Sequence, residues 1–278
     1  MKKISAAFDG LKFSESTLAY SIALSKAAKA VLSGVFLESF LYHSYRLEGI
    51  IGKEGALQAK IKQHMREDKK IREHSHKLFE AACKKAKLMY SIHCDLGITM
   101  LEVIRESVYS DLMIVNNNDT FSTVEQPKPS LFIYELLSES KCPLLIVPKK
   151  YHKIENIIIL YDGRPRAVNA IKMFHHLFPL MKNLPIEVIS VSAVNKQSEN
   201  PDKELMDEFI QCHYPQANTV ELMGEPKELI LNHIKHANLG SLIVMGANQR
   251  SWVSRFFNPS FAENVLENVN IPVFIVNS

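Results

Sequence analysis

Ile157-Ile-Ile-Leu-Tyr161-Asp162-Gly163 repeats the plan of Ile4-Ser-Ala-Ala-Phe8-Asp9-Gly10 near the start of the chain. Each is a short apolar run that ends in Asp-Gly and precedes a helical pattern (Leu18, Ile22 and Ala23 in one; Ile171, Phe174, Leu177 and Phe178 in the other). Further along, Val31-Leu-Ser-Gly-Val35-Phe-Leu answers to Ile186-Glu-Val-Ile-Ser-Val191-Ser, and Leu96-Gly97 to Met223-Gly224. Asp111-Leu-Met-Ile-Val115-Asn116 answers to Ser241-Leu-Ile-Val-Met245-Gly246, and Cys142-Pro143-Leu-Leu-Ile-Val147 to Ile271-Pro272-Val-Phe-Ile-Val276. Self-similarity of this kind points to a duplicated unit. Apolar strands without alternation are buried on both faces, so each half predicts a five-stranded parallel sheet covered by helices. The polar link Pro148-Lys-Lys-Tyr-His-Lys153 sets the boundary, giving doubly wound α/β domains over residues 1–150 and 151–278.

The halves differ between their second and third strands. The first half carries about twenty-five residues more there, with Gly49, Gly52 and Gly55 as a loop signal. A long helix from about Ala56 to Lys87 follows, with apolar positions at Leu57, Ile61, Met65, Leu78, Phe79 and Ala82. Charges dominate its middle, so it is expected to project or to lie across a partner.

Composition narrows the function classes. Hydrophobic residues make up 46% of the 278 and charged residues 23%, which excludes a disordered chain. No apolar run approaches the roughly 20 residues that span a bilayer. The opening Met-Lys-Lys meets Asp9 too early for a secretory core, so a cytoplasmic protein without membrane contact is expected. Residues 1–150 carry 22 Lys and Arg against 17 Asp and Glu, and the remainder 11 against 13. The excess lies mostly between Lys53 and Lys87, interleaved with acids, which reads as a solvated helix face and not a nucleic-acid patch. Cys83, Cys94, Cys142 and Cys212 form no Cys-x-x-Cys pair and are expected to be reduced thiols.

Both halves resemble universal stress protein domains, so the chain is similar to a tandem member of that family over nearly its whole length. The resemblance rests on the first strand ending in Asp, the small-residue helix after it, and the closing Pro-Val-x-x-Val-like strand. The family runs its fourth strand into a phosphate-binding motif, Gly-x2-Gly-x9-Gly-Ser/Thr. Here the second half reads Gly246-x2-Gln249-x9-Pro259-Ser260 and the first Asn116-x2-Asp119-x9-Pro129-Ser130. The spacing survives while most glycines do not.

The losses have a physical meaning. Ligands of open α/β sheets sit beyond the carboxyl ends of the strands, where strand order reverses. Phosphate is held there by backbone N–H groups, which glycine brings close and proline lacks. The resemblance implies an adenine nucleotide such as ATP, and the lost glycines leave weak binding or none, at most in the second half by Asp162, Gly163, Val191, Gly246, Asn248, Gln249, Arg250 and Ser260. In that reading Asp162 faces the adenine and ribose end, Val191 lies near adenine and Arg250 reaches a phosphate. The first half's Asp9, Gly10, Asn116 and Ser130 form a degenerate copy, with Asp119 opposing phosphate by its charge. A second reading stands beside this one. Ser130 and Ser260 would cap the helices that follow them, and Asp9 and Asp162 would brace turns through backbone amides.

Other constellations point elsewhere. His74 and His76, His175 and His176, and His233 and His236 lack companions at zinc-ligand spacing. There is no Gly-x-Ser-x-Gly turn, no Gly-Lys-Ser/Thr loop and no Gly-x-Gly-x-x-Gly fingerprint. Arg250-Ser-Trp252-Val-Ser-Arg255-Phe-Phe257 is expected to cover the cleft or anchor a contact through Trp252. The apolar closing strands invite edge pairing, and the resemblance implies dimerisation through them. In a tandem chain the first domain is expected to pair with the second as an intramolecular pseudo-dimer, with a homodimer through the long helix as a further contact.

Three functions follow as expectations. The first is a stress-response accessory protein that acts by association, with degenerate nucleotide sites. The second is an ATP-binding protein with slow hydrolysis, for which no base, nucleophile or metal-ligand set stands out. The third is a scaffold whose long helix recruits an unknown protein partner, with both clefts empty or holding another small ligand.

Overall fold

Branched and aromatic apolar runs form the strands, and helices cover both faces of the sheet they build. The computed structural model describes residues 1–39, 54–122, 126–192, 203–247 and 261–277. The first half runs β1 (Lys3–Asp9), α1 (Glu15–Ala28), β2 (Val31–Ser39), α2 (Glu54–Ala86), β3 (Tyr90–Gly97), α3 (Thr99–Val108), β4 (Leu112–Asn116), α4 (Leu131–Glu139) and β5 (Leu144–Val147). The second repeats the order as β6 (Asn156–Tyr161), α5 (Pro165–Leu177), β7 (Ile186–Ser192), α6 (Lys203–His213), β8 (Asn218–Met223), α7 (Pro226–Lys235), β9 (Ser241–Ala247), α8 (Phe261–Asn268) and β10 (Val273–Asn277).

The ten strands form one sheet in the order β3-β2-β1-β4-β5-β10-β9-β6-β7-β8. Neighbours within each half are parallel. The halves meet where β5 and β10 pair antiparallel, with Leu144 opposite Ile275, Leu145 opposite Phe274 and Ile146 opposite Val273. One core lies under α1, α2, α5 and α6, around Phe8, Tyr20, Phe36, Phe79, Phe174 and Phe274. The other lies under α3, α4, α7 and α8, around Val103, Ile133, Leu136, Ile230, Val265 and Ile275. Among the described residues no helix is long and apolar enough to cross a membrane.

The link between the halves is tied down. Ser16 Oγ donates to the Pro148 carbonyl at 2.6 Å, the His152 N–H donates to Tyr20 Oη at 3.2 Å, and the Tyr20 and Tyr151 rings lie 4.7 Å apart. Asn117 Nδ2 reaches across from the first half to donate to the Leu266 carbonyl of α8 at 2.7 Å.

The long helix differs from the expectation that it projects or crosses a partner. Asp68, Ser75, Phe79 and Cys83 are buried at helical spacing, so the C-terminal part of α2 lies against its own half. Gly34 on β2 makes that approach close, since a Cβ there would stand 2.7 Å from Cζ of Phe79. Ser75 Oγ donates to the Gly10 carbonyl at 3.0 Å, and Arg72 packs over Gly10. Cys83 and Cys142 are buried with thiols pushed up to about 12 by burial, whereas Cys94 and Cys212 are exposed.

Candidate functional site

The strand order reverses at β1/β4 in the first half and at β6/β9 in the second, and a cleft is expected outside the carboxyl ends at each point. In the second half that place holds a cavity of about 390 Å³. Leu160, Met245 and Ala247 from the strand ends, with Ala167, Val191 and Ile230, give it an apolar wall. Its polar rim is Asp162, Arg164, Arg166, Glu225 and Lys227. The residues that follow β6 and β8 in the chain thus meet across the cleft.

Local chemistry explains the arrangement. Gly163 has φ of 72°, a left-handed turn that glycine adopts without strain, and it swings the chain from β6 into α5. Asp162 braces that turn: its Oδ1 accepts the Arg164 N–H at 3.2 Å, and its Oδ2 pairs with the Arg166 guanidinium. Helix α5 starts after Arg164 and α7 after Glu225, each with proline in its first turn and no side-chain cap bond. Both helix starts border the cavity, where uncapped N–H groups and the helix dipole favour an anion. Gly246 lets this happen, because a Cβ there would stand 2.6 Å from the Arg166 carbonyl oxygen.

Of the residues picked out in the sequence, the structure brings Asp162, Val191 and Gly246 together in the cavity wall, and Gly163 beside them. Asn248, Gln249, Arg250 and Ser260 lie outside the described residues, as does Trp252. The rim cations Arg164, Arg166 and Lys227 and the acid Glu225 were missed. Their signal was available: they sit in Arg164-Pro-Arg166 and Glu225-Pro-Lys227, directly after two strands whose carboxyl ends the topology aims at a ligand. The wall supports an apolar group and the rim an anionic one.

In the first half the corresponding polar groups spend their hydrogen bonds on each other. Asp9 Oδ1 accepts the N–H groups of Leu11 and Lys12 at 2.9 and 3.2 Å. Asn116 Nδ2 donates to Ser14 Oγ at 3.0 Å and to the Pro148 carbonyl at 3.2 Å, while its Oδ1 accepts from the Asn118 N–H at 2.9 Å. Asp119 Oδ2 accepts the Asn116 N–H at 3.1 Å. Burial, with Asp9 nearby, pushes the Asp119 carboxyl well above the usual range. Ser130 caps α4, its Oγ accepting the Ile133 N–H at 3.3 Å and donating to the Asp119 carbonyl. Asn116, Asp119 and Ser130 are all nearly inaccessible to water, and the packed rings of Phe121 and Phe132 lie 4.3 Å apart beside them.

Residues 153–277 match the model of the universal stress protein family. Across 99% of its length the chain superposes on 98% of a universal stress protein from Archaeoglobus fulgidus DSM 4304, with a TM-score of 0.68 and 16% identity. It also superposes in full on 92% of a functionally unknown protein from Pseudomonas aeruginosa PAO1, with a TM-score of 0.60 and 14% identity. Identities this low show the shared fold alone. No curated protein matches the sequence. The matched residues, 153–277, are those that carry the cation-rimmed cavity, and there the chain is similar to a universal stress protein domain.

Proposed function

We propose that the chain is a tandem pair of universal stress protein domains, 1–150 and 151–278, acting in the cytoplasm as a stress-response accessory protein. It works by association: the second domain takes ATP or another adenine nucleotide weakly, and the first is closed to it. The observation that carries this reading is the contrast between the clefts. The second is a cavity of about 390 Å³ with Arg164, Arg166 and Lys227 on its rim, while in the first Asn116, Asp119 and Ser130 are buried and hydrogen-bonded to one another. Asp162 already engages Arg166, so part of the rim charge is used within the protein, and weak binding is the consequence.

Calorimetric titration with ATP and Mg²⁺ tests this. The expected dissociation constant is about 0.1–1 mM, equivalent to roughly −5 kcal/mol. Lys227→Glu should weaken it about tenfold, whereas Asp119→Asn in the first cleft should leave it unchanged. Absence of heat at several millimolar ATP, or indifference to Lys227→Glu, would refute the reading. A partner-recruiting role for α2 is the second reading, favoured by Ile71 and Leu78, exposed one heptad apart along the flank of its buried stripe.

A further inference from the structure

The second half holds another cavity, of about 420 Å³, on the face of the sheet covered by α5 and α6. The repeat supplies a ruler for it, because the first half fills the same place with aromatic rings. There Phe8 precedes Asp9, and Phe36 is its neighbour on β2. The ring centroids of Phe13, Phe36 and Phe79 lie 5.1, 5.2 and 5.6 Å from that of Phe8.

The second half lacks three of these four rings. Tyr161 precedes Asp162 as Phe8 precedes Asp9, but its neighbour on β7 is Ser190. Met206 stands as far from the end of α6 as Phe79 does from the end of α2, so a flexible thioether replaces a phenyl ring. The connection from Asp162 to α5 is shorter than that from Asp9 to α1 and has no counterpart of Phe13. The space that remains is floored by Tyr161 and walled by Val168, Met206 and Phe209.

Arg164 and Lys172 line the cavity, and no Asp or Glu does so among the described residues. Lys172 Nζ lies 5.9 Å from the centroid of the Phe209 ring, so a cation stands beside the aromatic wall. A volume of this size suits a small organic ligand with an apolar body and one anionic group.

We propose that the cavity between α5 and α6 is a binding site for a small aromatic anion, one or two rings bearing a carboxylate or sulfonate. The ring stacks over Tyr161 beside Phe209, in the volume where the first half keeps its own phenyl groups. The anionic group faces Arg164 and Lys172. This site is separate from the nucleotide cleft and does not depend on it, although Tyr161 and Arg164 border both.

Fluorescence titration of the full chain with the dye anilinonaphthalene sulfonate, an aromatic anion, tests the proposal. One dye per chain should bind, with the near-ultraviolet dichroism of the native protein retained. Lys172→Glu changes an exposed side chain and should weaken binding at least fivefold. Asn169→Trp, at another exposed lining position, should block the cavity and remove the dye signal. Lys227→Glu, which lines only the other cleft, should leave the titration unchanged. Loss of binding through Lys227→Glu would put the dye in the nucleotide cleft and overturn the proposal. Indifference to both Lys172→Glu and Asn169→Trp, several equivalent dyes per chain, or no dye bound would overturn it equally.

Discussion

Asp119 sits where the family motif has its second glycine, and it is only 8% exposed. Burial raises its carboxyl well above 3.8, and the neighbouring Asp9 adds to the shift. A carboxyl whose folded value is raised holds its proton in the native state after the unfolded chain has released it. Its contribution to stability is therefore greatest below 3.8 and falls as pH rises towards the folded value. An asparagine at this position would keep an oxygen to accept the Asn116 N–H without any charge to bury. Asp119→Asn is expected to raise stability at pH 7 by about 1 kcal/mol. Urea unfolding should find that gain shrinking as pH is lowered from the raised folded value towards 3.8, and gone below it. A variant less stable at pH 7 than the parent would mean that the carboxylate is held ionised by Lys12. Gly246 teaches the converse lesson. The motif assigns it to a phosphate, yet the 2.6 Å approach of the Arg166 carbonyl requires glycine there with or without a ligand.

Helix α2 is where element-scale reading succeeded in outline and failed in placement. Its existence and length were legible, because strong helix formers run from 54 to 86 without glycine beyond Gly55 or any proline. Its docking was not. Hydropathy counts Asp68 and Ser75 as solvated, whereas they lie on the buried stripe, and Ser75 is satisfied there by the Gly10 carbonyl. A polar group with a buried partner leaves no trace in an apolar pattern. The same blindness hid the rim of the second cleft: the strands around it announce themselves by continuous apolar runs, but the meeting of Arg166 with Asp162 depends on the turn at Gly163. The contact between Phe79 and Gly34 gives α2 a quantitative test. Phe79→Ala should destabilise the chain by about 3–5 kcal/mol, through lost burial and the cavity left behind. Gly34→Ala alone should also destabilise, since its methyl meets the ring at 2.7 Å. In the double variant the methyl enters the space the ring has left, so the combined loss in urea unfolding should fall short of the sum of the two by about 1 kcal/mol or more. Strict additivity would show that α2 does not lean on β2 at this point.

The whole molecule is organised around the seam between β5 and β10. Only three residue pairs register across it, but the strands on either side feed both cores. Leu145, Val147, Phe274 and Val276 point to one face, Leu144, Ile146, Val273 and Ile275 to the other, and none is more than 5% exposed. Each such side chain contributes about 1.5–3 kcal/mol when fully buried, so parting the halves would uncover an apolar strand edge of the kind that seeks another partner. Asn117 and the link through Tyr20 and Pro148 reinforce the seam from the first half. A fragment of residues 153–278 keeps β6 to β10 but loses the neighbour of β10. It is expected to recover that neighbour from a second copy, sedimenting as a dimer that pairs β10 with β10, because an antiparallel strand can satisfy itself across a two-fold axis. Placing proline at Ile275 removes an N–H and should prevent pairing or folding altogether, so the informative control is the full chain, in which β5 already covers that edge. Mixing the fragment with full-length protein should give no hybrid species in ultracentrifugation. A fragment that stays monomeric and folded at micromolar concentration would mean that each half is self-sufficient and that the continuous sheet is a consequence of tethering alone.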